Sequence, residues 1–325
     1  MKIFSGMRPT GKLHLGHLLG ALSNWTDLQN KNHECYFCVA DLHALTSDFS
    51  HTEHLRSNIH DMVVDWLAAG LDPEKCHIFV QSHVKEQSEL FLLLGMITPM
   101  GWLERNPTYK ELRNETTEKD LSNLGFFSYP VMQAADILIV KAEGVPVGQD
   151  QVPHLEITRE IVRRFNYLYG KTFPEPKALL TAFPKIMGTD GRKMSKSYNN
   201  SILLSDSDKD VQKKIQGMVT DPKRARRQDP GDPDTCNLFP LHQIFSSNET
   251  IKDVRNGCTT AVIGCVDCKK ILLPNLEKTL APIREKRIQI TNDPAFIQDV
   301  LDQGAKQTRE QSQSTLEDVR KAMHL

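Results

Sequence analysis

The chain has 325 residues, a length that argues for two domains. Hydrophobic residues make up 39% and charged residues 25%, ordinary proportions for a soluble globular protein. A net charge of −1 excludes a global basic field, so any RNA contact must use local patches such as Lys223–Arg227 or Arg284, Lys286 and Arg287. No apolar run approaches the span of a bilayer, and Met1–Gly6 lacks the apolar core of a signal peptide. The expectation is a cytoplasmic protein with no membrane segment. Seven cysteines without an export signal argue against structural disulfides.

In chain order, Lys2–Ser5 reads as a short strand, followed by a glycine- and proline-punctuated turn over 6–11. Leu13–Gln29 reads as one helix, with Leu15, Leu18, Leu19, Leu22 and Trp25 at helical spacing. Glu34–Ala40 and His77–Gln81 read as strands, and His54–Ala69 and Glu86–Ile97 as helices. Strands alternating with helices predict an α/β fold, a doubly wound parallel sheet. Such sheets bind ligands beyond the carboxyl ends of their strands, which puts the 6–11 turn at a nucleotide site. After about Asp206 strand-like runs give way to helical periodicity over 211–219, 238–245, 269–286 and 295–323. The expected domains are therefore 1–205, whose packing can take in part of the C-terminal helix, and a helical 206–325.

Two clusters carry chemistry. In the first, Pro9-Thr10-Gly11-Lys12-Leu13-His14-Leu15-Gly16-His17, a turn feeds a helix and the two histidines share one face. Gly16 permits close approach of a ring or backbone, and a helix start with two imidazoles can seat phosphate oxygens. In the second, Lys193-Met194-Ser195-Lys196-Ser197 follows the Gly188–Gly191 turn, and its two lysines and two hydroxyls form a compact anion clamp. Taken singly, either cluster reads equally as incidental polar surface; two in this order and context do not.

These segments resemble the HIGH and KMSKS motifs of class I aminoacyl-tRNA synthetases. The resemblance implies a Rossmann-type catalytic domain with a C-terminal helical, anticodon-binding domain, and an adenylation reaction using ATP and Mg2+. It assigns His14, His17, Lys193 and Lys196 to catalysis. Arg8, Pro9, Thr10, Gly16, Gly148, Gln149, Asp150, Ile186, Met194, Ser195 and Ser197 join them at ATP. Phe4–Gly11 and Val145–Gln151 look like the tryptophan branch of the tryptophan and tyrosine pair. On that match Phe4, Val145 and Val147 pack an indole, Tyr129 and Gln151 hold the α-amino group, Ser5 and Gln133 belong to the same tryptophan site, and Asp136 accepts the indole N–H. Asp136 follows Gln-Ala-Ala and precedes an apolar run, so it should be buried and in need of a donor. A pocket built for that donor would leave Asp136 unpaired with phenylalanine, giving selectivity without editing. Many bacterial members carry methionine where Gln133 stands and glutamine where Arg8 stands, and Gln133 is shared with tyrosine enzymes. For Arg8 a plain surface position is the alternative.

Cys236, Cys258, Cys265 and Cys268 form C-x21-C-x6-C-x2-C, a spacing that favours a metal over free thiols. Spacing alone leaves Zn2+ and [4Fe–4S] open. Resemblance to a subset of the tryptophan enzymes, whose first gap is one residue longer, favours the iron–sulfur cluster. Cys35 and Cys38 point to opposite faces of a strand and, like Cys76, read as packing residues. The implied partners are L-tryptophan, tRNA(Trp) and a second copy of the chain in a homodimer. A tyrosine enzyme, a non-catalytic RNA-binding protein and a pantothenate-synthetase-like nucleotidyltransferase are the competing readings.

Overall fold

A computed structural model describes residues 1–105, 121–148, 152–180, 186–221 and 224–325. The described chain divides into two compact units, Met1–Thr10, Leu22–Phe183 and Asp293–Leu325 in one, Gly11–Ala21 and Pro184–Asn292 in the other. Chain order is a poor guide because a short N-terminal segment pairs with a distant one and the last helix returns to the sheet.

The first unit holds a five-stranded sheet in the order β3-β2-β1-β4-β5, with every neighbouring pair parallel. Its strands are β1 (Lys2–Met7), β2 (Glu34–Val39), β3 (Cys76–Val80), β4 (Gly144–Val147) and β5 (Lys177–Leu180). The order reverses between β1 and β4, the switch point where doubly wound sheets open a crevice for ligands. β2 and β3 read ECYFCV and CHIFV, nearly continuous apolar runs, because a parallel sheet is covered on both faces. Cys35, Cys38 and Cys76 are buried in these strands, and burial first of all pushes the Cys35 thiol up to about 11 and that of Cys76 to about 12. They pack.

The α-helices in chain order are α1 (Leu15–His17), α2 (Ser23–Asn30), α3 (Asp41–Asp48), α4 (Leu55–Ala68), α5 (Glu86–Ile97), α6 (Met100–Glu104), α7 (Leu124–Ile139), α8 (Val152–Tyr169), α9 (Asp208–Gly217), α10 (Phe239–Phe245), α11 (Asn248–Thr259), α12 (Cys265–Thr291) and α13 (Pro294–Met323). The helix expected over 13–29 is broken: α1 and α2 flank a π-helical turn, Leu18–Leu22. Such turns interrupt the regular ladder and recur at functional sites. In the first unit α7 contributes Ala134, Ala135, Ile137, Leu138 and Ile139, all fully buried, to one apolar cluster with Phe4, Val145 and Val147. α13 lies on the edge strand β3 in the same unit, where Gly304 approaches the Ile78 backbone. Among the described residues no helix is long and apolar enough to cross a membrane.

Candidate functional site

In the sheet unit, the candidate pocket residues come from β1, β4 and α7. Phe4 and Ser5 lie in β1, Val145 and Val147 in β4, and all four are buried. Tyr129, Gln133 and Asp136 follow one another at helical spacing on one face of α7. Asp136 is only 3% exposed, as expected of a carboxylate ahead of Ile137-Leu138-Ile139. Its donors are already present. Gln81 Nε2 lies 2.9 Å from both carboxylate oxygens, and His43 Nε2 lies 3.0 Å from Oδ2. Gln81 is itself held, its Oε1 accepting from the His43 backbone N–H at 3.2 Å. Neither Gln81 nor His43 belongs to a motif, so sequence reasoning missed both. Gln81 immediately follows β3 and His43 sits in the first turns of α3, so both stand just past the carboxyl end of a strand. That position is the one signal that could have found them.

The need for a donor read from the sequence is thus met within the protein, by Gln81 and by an internal pairing with His43. Tyr129 is held in turn, its hydroxyl 3.2 Å from His154 Nδ1 of α8, a buried histidine that no motif marks. Arg8 is exposed and donates from Nη1 to Ser47 Oγ at 3.4 Å, while Pro9 is buried and Thr10 exposed. Gly148 follows β4 directly. Gln149, Asp150, Gln151 and the side chain of Ser197 lie outside the described residues.

In the second unit the two signature segments meet. Leu15 N–H donates to Ile202 O and Leu204 N–H to Leu13 O, each at 3.0 Å, so the segment around His14 lies beside the chain that follows Ser197. The Lys196 ammonium donates to Gly11 O at 2.9 Å. His14 and His17 face each other with ring centroids 3.9 Å apart. Gly16 N–H donates to His14 Nδ1 at 3.0 Å, and His14 N–H donates to His17 Nδ1 at 3.2 Å. An Nδ1 that accepts leaves the proton of a neutral ring on Nε2, so both imidazoles present an N–H donor at the far side. Burial, then Lys196, lowers His14 to about 4; burial, then His14 and Lys196, lowers His17 to about 3. Gly16 admits the close approach of a ring, as read from the sequence. A Cβ there would stand 2.8 Å from His14 Cε1, so the ring that approaches closely is His14's own.

Lys193 closes a small hairpin. It bridges Met187, with Met194 N–H donating to Ile186 O at 2.9 Å and Gly188 N–H to Arg192 O at 2.7 Å. Ile186 and Met194 are buried beneath it, and Lys193 is exposed.

Residues 1–281 match the family described as tRNA synthetases class I (W and Y). The chain belongs to this family. The tryptophan–tRNA ligase of Thermotoga maritima is 57% identical over 326 residues, covering 100% of this chain and 99% of that protein. That of Aquifex aeolicus is 47% identical over 395 residues, covering 100% of both. Among solved structures, the tryptophanyl-tRNA synthetase of Campylobacter jejuni complexed with ADP and tryptophan is 34% identical, with a TM-score of 0.91 and 100% of each chain covered. The family's parallel-sheet fold is also shared by the tyrosyl-tRNA synthetase of Aeropyrum pernix, 20% identical with a TM-score of 0.67.

The synthetase's four spaced cysteines also fall in the second unit. Cys236 precedes α10, Cys258 lies in the last turn of α11, and Cys265 and Cys268 open α12. Burial and then the other three thiols push Cys268 up to about 12, and Cys258 is raised by burial with Cys236 and Cys265 contributing. The four are thus within electrostatic reach of one another. Arg224 Nη1 points at Cys258 Sγ at 3.9 Å, and His242 Nε2 lies 3.4 Å from Cys268 Sγ. Among the described residues, no group of three or more His, Cys, Asp or Glu is gathered tightly enough to hold a metal ion.

Of the basic patches, Lys223 lies outside the described residues. Arg224 is committed internally, donating to Arg227 O and Ile263 O at 2.7 Å each. Arg284 is not a free surface charge either. Its side chain is 16% exposed and ion-paired with Asp208 and Glu277.

Proposed function

We propose that this chain is a tryptophan–tRNA ligase, joining L-tryptophan to the 3′-terminal adenosine of tRNA(Trp) with the consumption of ATP. The tryptophan carboxylate attacks the α-phosphorus in line, and the bond to the bridging oxygen of pyrophosphate breaks. The adenosine hydroxyl then attacks the acyl carbon and AMP leaves. The observation that carries this reading is the meeting of His14, His17 and Lys196 in one compact unit. Neutral Nε2–H donors and ammonium groups suit the oxygens of a polyphosphate. Positioning and neutralisation of developing charge are the work such a reaction asks of a protein. Mg2+ would enter bound to ATP. Lys193 and Lys196 would hold the departing pyrophosphate.

On this reading Phe4, Val145 and Val147 pack the indole, Asp136 accepts its N–H, and Tyr129 with Gln151 receives the α-amino group. Arg8, Pro9, Thr10, Gly16, Gly148, Gln149, Asp150, Ile186, Met194, Ser195 and Ser197 form the nucleotide's surroundings. The second unit would carry the anticodon-facing surface, and the setting is the cytoplasm.

The four cysteines would hold a [4Fe–4S] cluster. The C-x21-C-x6-C-x2-C spacing and the resemblance to the iron–sulfur members support this reading, with Zn2+ the alternative. The role is structural. Exposed Leu92 and Met96 of α5 and Met100 of α6 supply apolar surface for a homodimer.

The test is pyrophosphate exchange with each of the twenty amino acids, followed by charging of tRNA(Trp). Exchange dependent on tryptophan above all others is expected. Faster exchange with tyrosine would overturn the assignment.

A further inference from the structure

Asn200 lies three residues beyond Ser197, outside the five-residue signature, yet its side chain organises the loop that carries both lysines. It is 1% exposed. Its Oδ1 accepts from Ser195 N–H at 2.8 Å, and its Nδ2 donates to Lys193 O at 3.1 Å and to Asp190 Oδ1 at 2.7 Å. One amide thus pins the peptides on both sides of Met194 and ties them to the turn before them. Its own backbone carbonyl accepts from Thr189 N–H at 2.9 Å.

The loop is built to admit this side chain. An added Cβ on Gly188 would stand 2.3 Å from Asn200 Cγ and Nδ2, so only glycine lets the amide lie against the hairpin. Asp190, the third partner, is held down at about 2, the Asn200 hydrogen bond being the largest cause ahead of Arg192. The pair is a carboxylate facing an amide donor. A carboxylate at position 200 could still accept from Ser195 but would have no proton for Asp190 or for Lys193 O.

We infer that Asn200 is a positioning residue for the adenylation step, fixing where Lys193 and Lys196 stand relative to the phosphates. The inference rests on the functional reading above. Asn200 acts through the lysines, so its replacement should leave tryptophan recognition, which uses residues of the sheet unit, untouched.

The experiment compares wild type, Asn200→Asp, and the exchanged pair Asp190→Asn with Asn200→Asp. Tryptophan-dependent pyrophosphate exchange gives kcat, and tryptophan binding is measured separately by calorimetry. Asn200→Asp should lower kcat about a hundredfold, the scale of a displacement near 1 Å, with tryptophan affinity unchanged. In the exchanged pair the amide now at position 190 can donate to the carboxylate now at position 200, and kcat should recover by about tenfold, as coupled neighbours do. A mere folding defect would weaken tryptophan binding and would not be relieved by the exchange. Wild-type kcat in Asn200→Asp, or an exchanged pair no faster than the single variant, overturns the inference alone. A wild-type enzyme silent with tryptophan overturns the functional reading and this inference with it.

Discussion

Gln81 Nε2 reaches both carboxylate oxygens of Asp136 at 2.9 Å, so the buried acid is oriented before any ligand arrives. Asp136→Asn keeps the size and removes the charged acceptor. A hydrogen bond to a charged group contributes about 1.5–3 kcal/mol, so kcat/KM for tryptophan should fall by about one to two orders of magnitude. Steady-state exchange kinetics check this, and an unchanged kcat/KM would reject indole recognition by Asp136. Because Gln81 and His43 keep Asp136 partnered, phenylalanine should be refused less steeply than by a site whose acid is orphaned.

His14 and His17 should stay neutral well below the ordinary histidine range. Both are lowered from 6.5, to about 4 and about 3, with burial the largest cause. The sign follows from linkage. Below 6.5 the unfolded chain takes up these protons and the folded chain does not, so stability falls as pH drops from 6.5 toward about 4. Urea unfolding at about pH 7 and about pH 5 should show a larger loss in wild type than in a His14→Asn, His17→Asn double variant. Equal losses would place ordinary, solvated imidazoles at these positions.

The same residues show how far the sequence could be read. β1, β2, β3 and α5 were legible because their apolar runs and period are strong. β4 and β5, reading GVPV and KALL, were not: four residues carry little pattern, and Pro146 argues against a strand. α12 was legible by its period over 269–286 even though it runs through Pro274 and Pro282, where local propensity alone would end a helix. His14, His17, Lys193 and Lys196 were visible as motifs. His154 and Asn200 were invisible because their meaning lies in what they touch; Gln81 and His43 offered only their place past a strand's end, and only the folded chain brings them to Asp136.

The Lys196 ammonium donates to Gly11 O at 2.9 Å, beside the two histidines. Its contact with pyrophosphate should strengthen as charge develops, so Lys196→Ala should lower kcat far more than it raises KM for ATP. A loss of about a hundredfold to a thousandfold is the scale for a transition-state donor. A variant that raises KM with kcat intact would make Lys196 a simple ATP-binding group.

Replacing Cys265 and Cys268 by Ser should bleach any iron–sulfur absorption and weaken tRNA charging. Two independent domains would leave adenylation intact, but the structure links the two regions more closely. Asn237, next to Cys236, donates to Gly188 O at 2.8 Å, the turn that begins the lysine loop. Pyrophosphate exchange should therefore slow as well, by about tenfold or less, since the contact is one hydrogen bond. A visible spectrum, iron analysis and both assays on the same preparations check it. A colourless wild type holding one zinc would overturn the cluster.

Gly304 fixes how α13 seats on the sheet. A Cβ there would lie 1.9 Å from Ile78 O and 2.7 Å from its carbonyl carbon, and both are strand backbone that cannot turn aside. Gly304→Ala must lift the helix from β3, straining the His77 Nδ1–Gln307 contact at 2.8 Å and the Arg309–Glu86 pair farther along. Helix propensity pulls the other way, favouring alanine by about 1 kcal/mol. Overpacking against rigid backbone should outweigh it, at about 1–3 kcal/mol or more. The net result should be a lower urea midpoint with an unaltered slope. A midpoint raised by the substitution would mean that α13 can stand off the sheet at no cost, and that the sheet does not depend on its last helix.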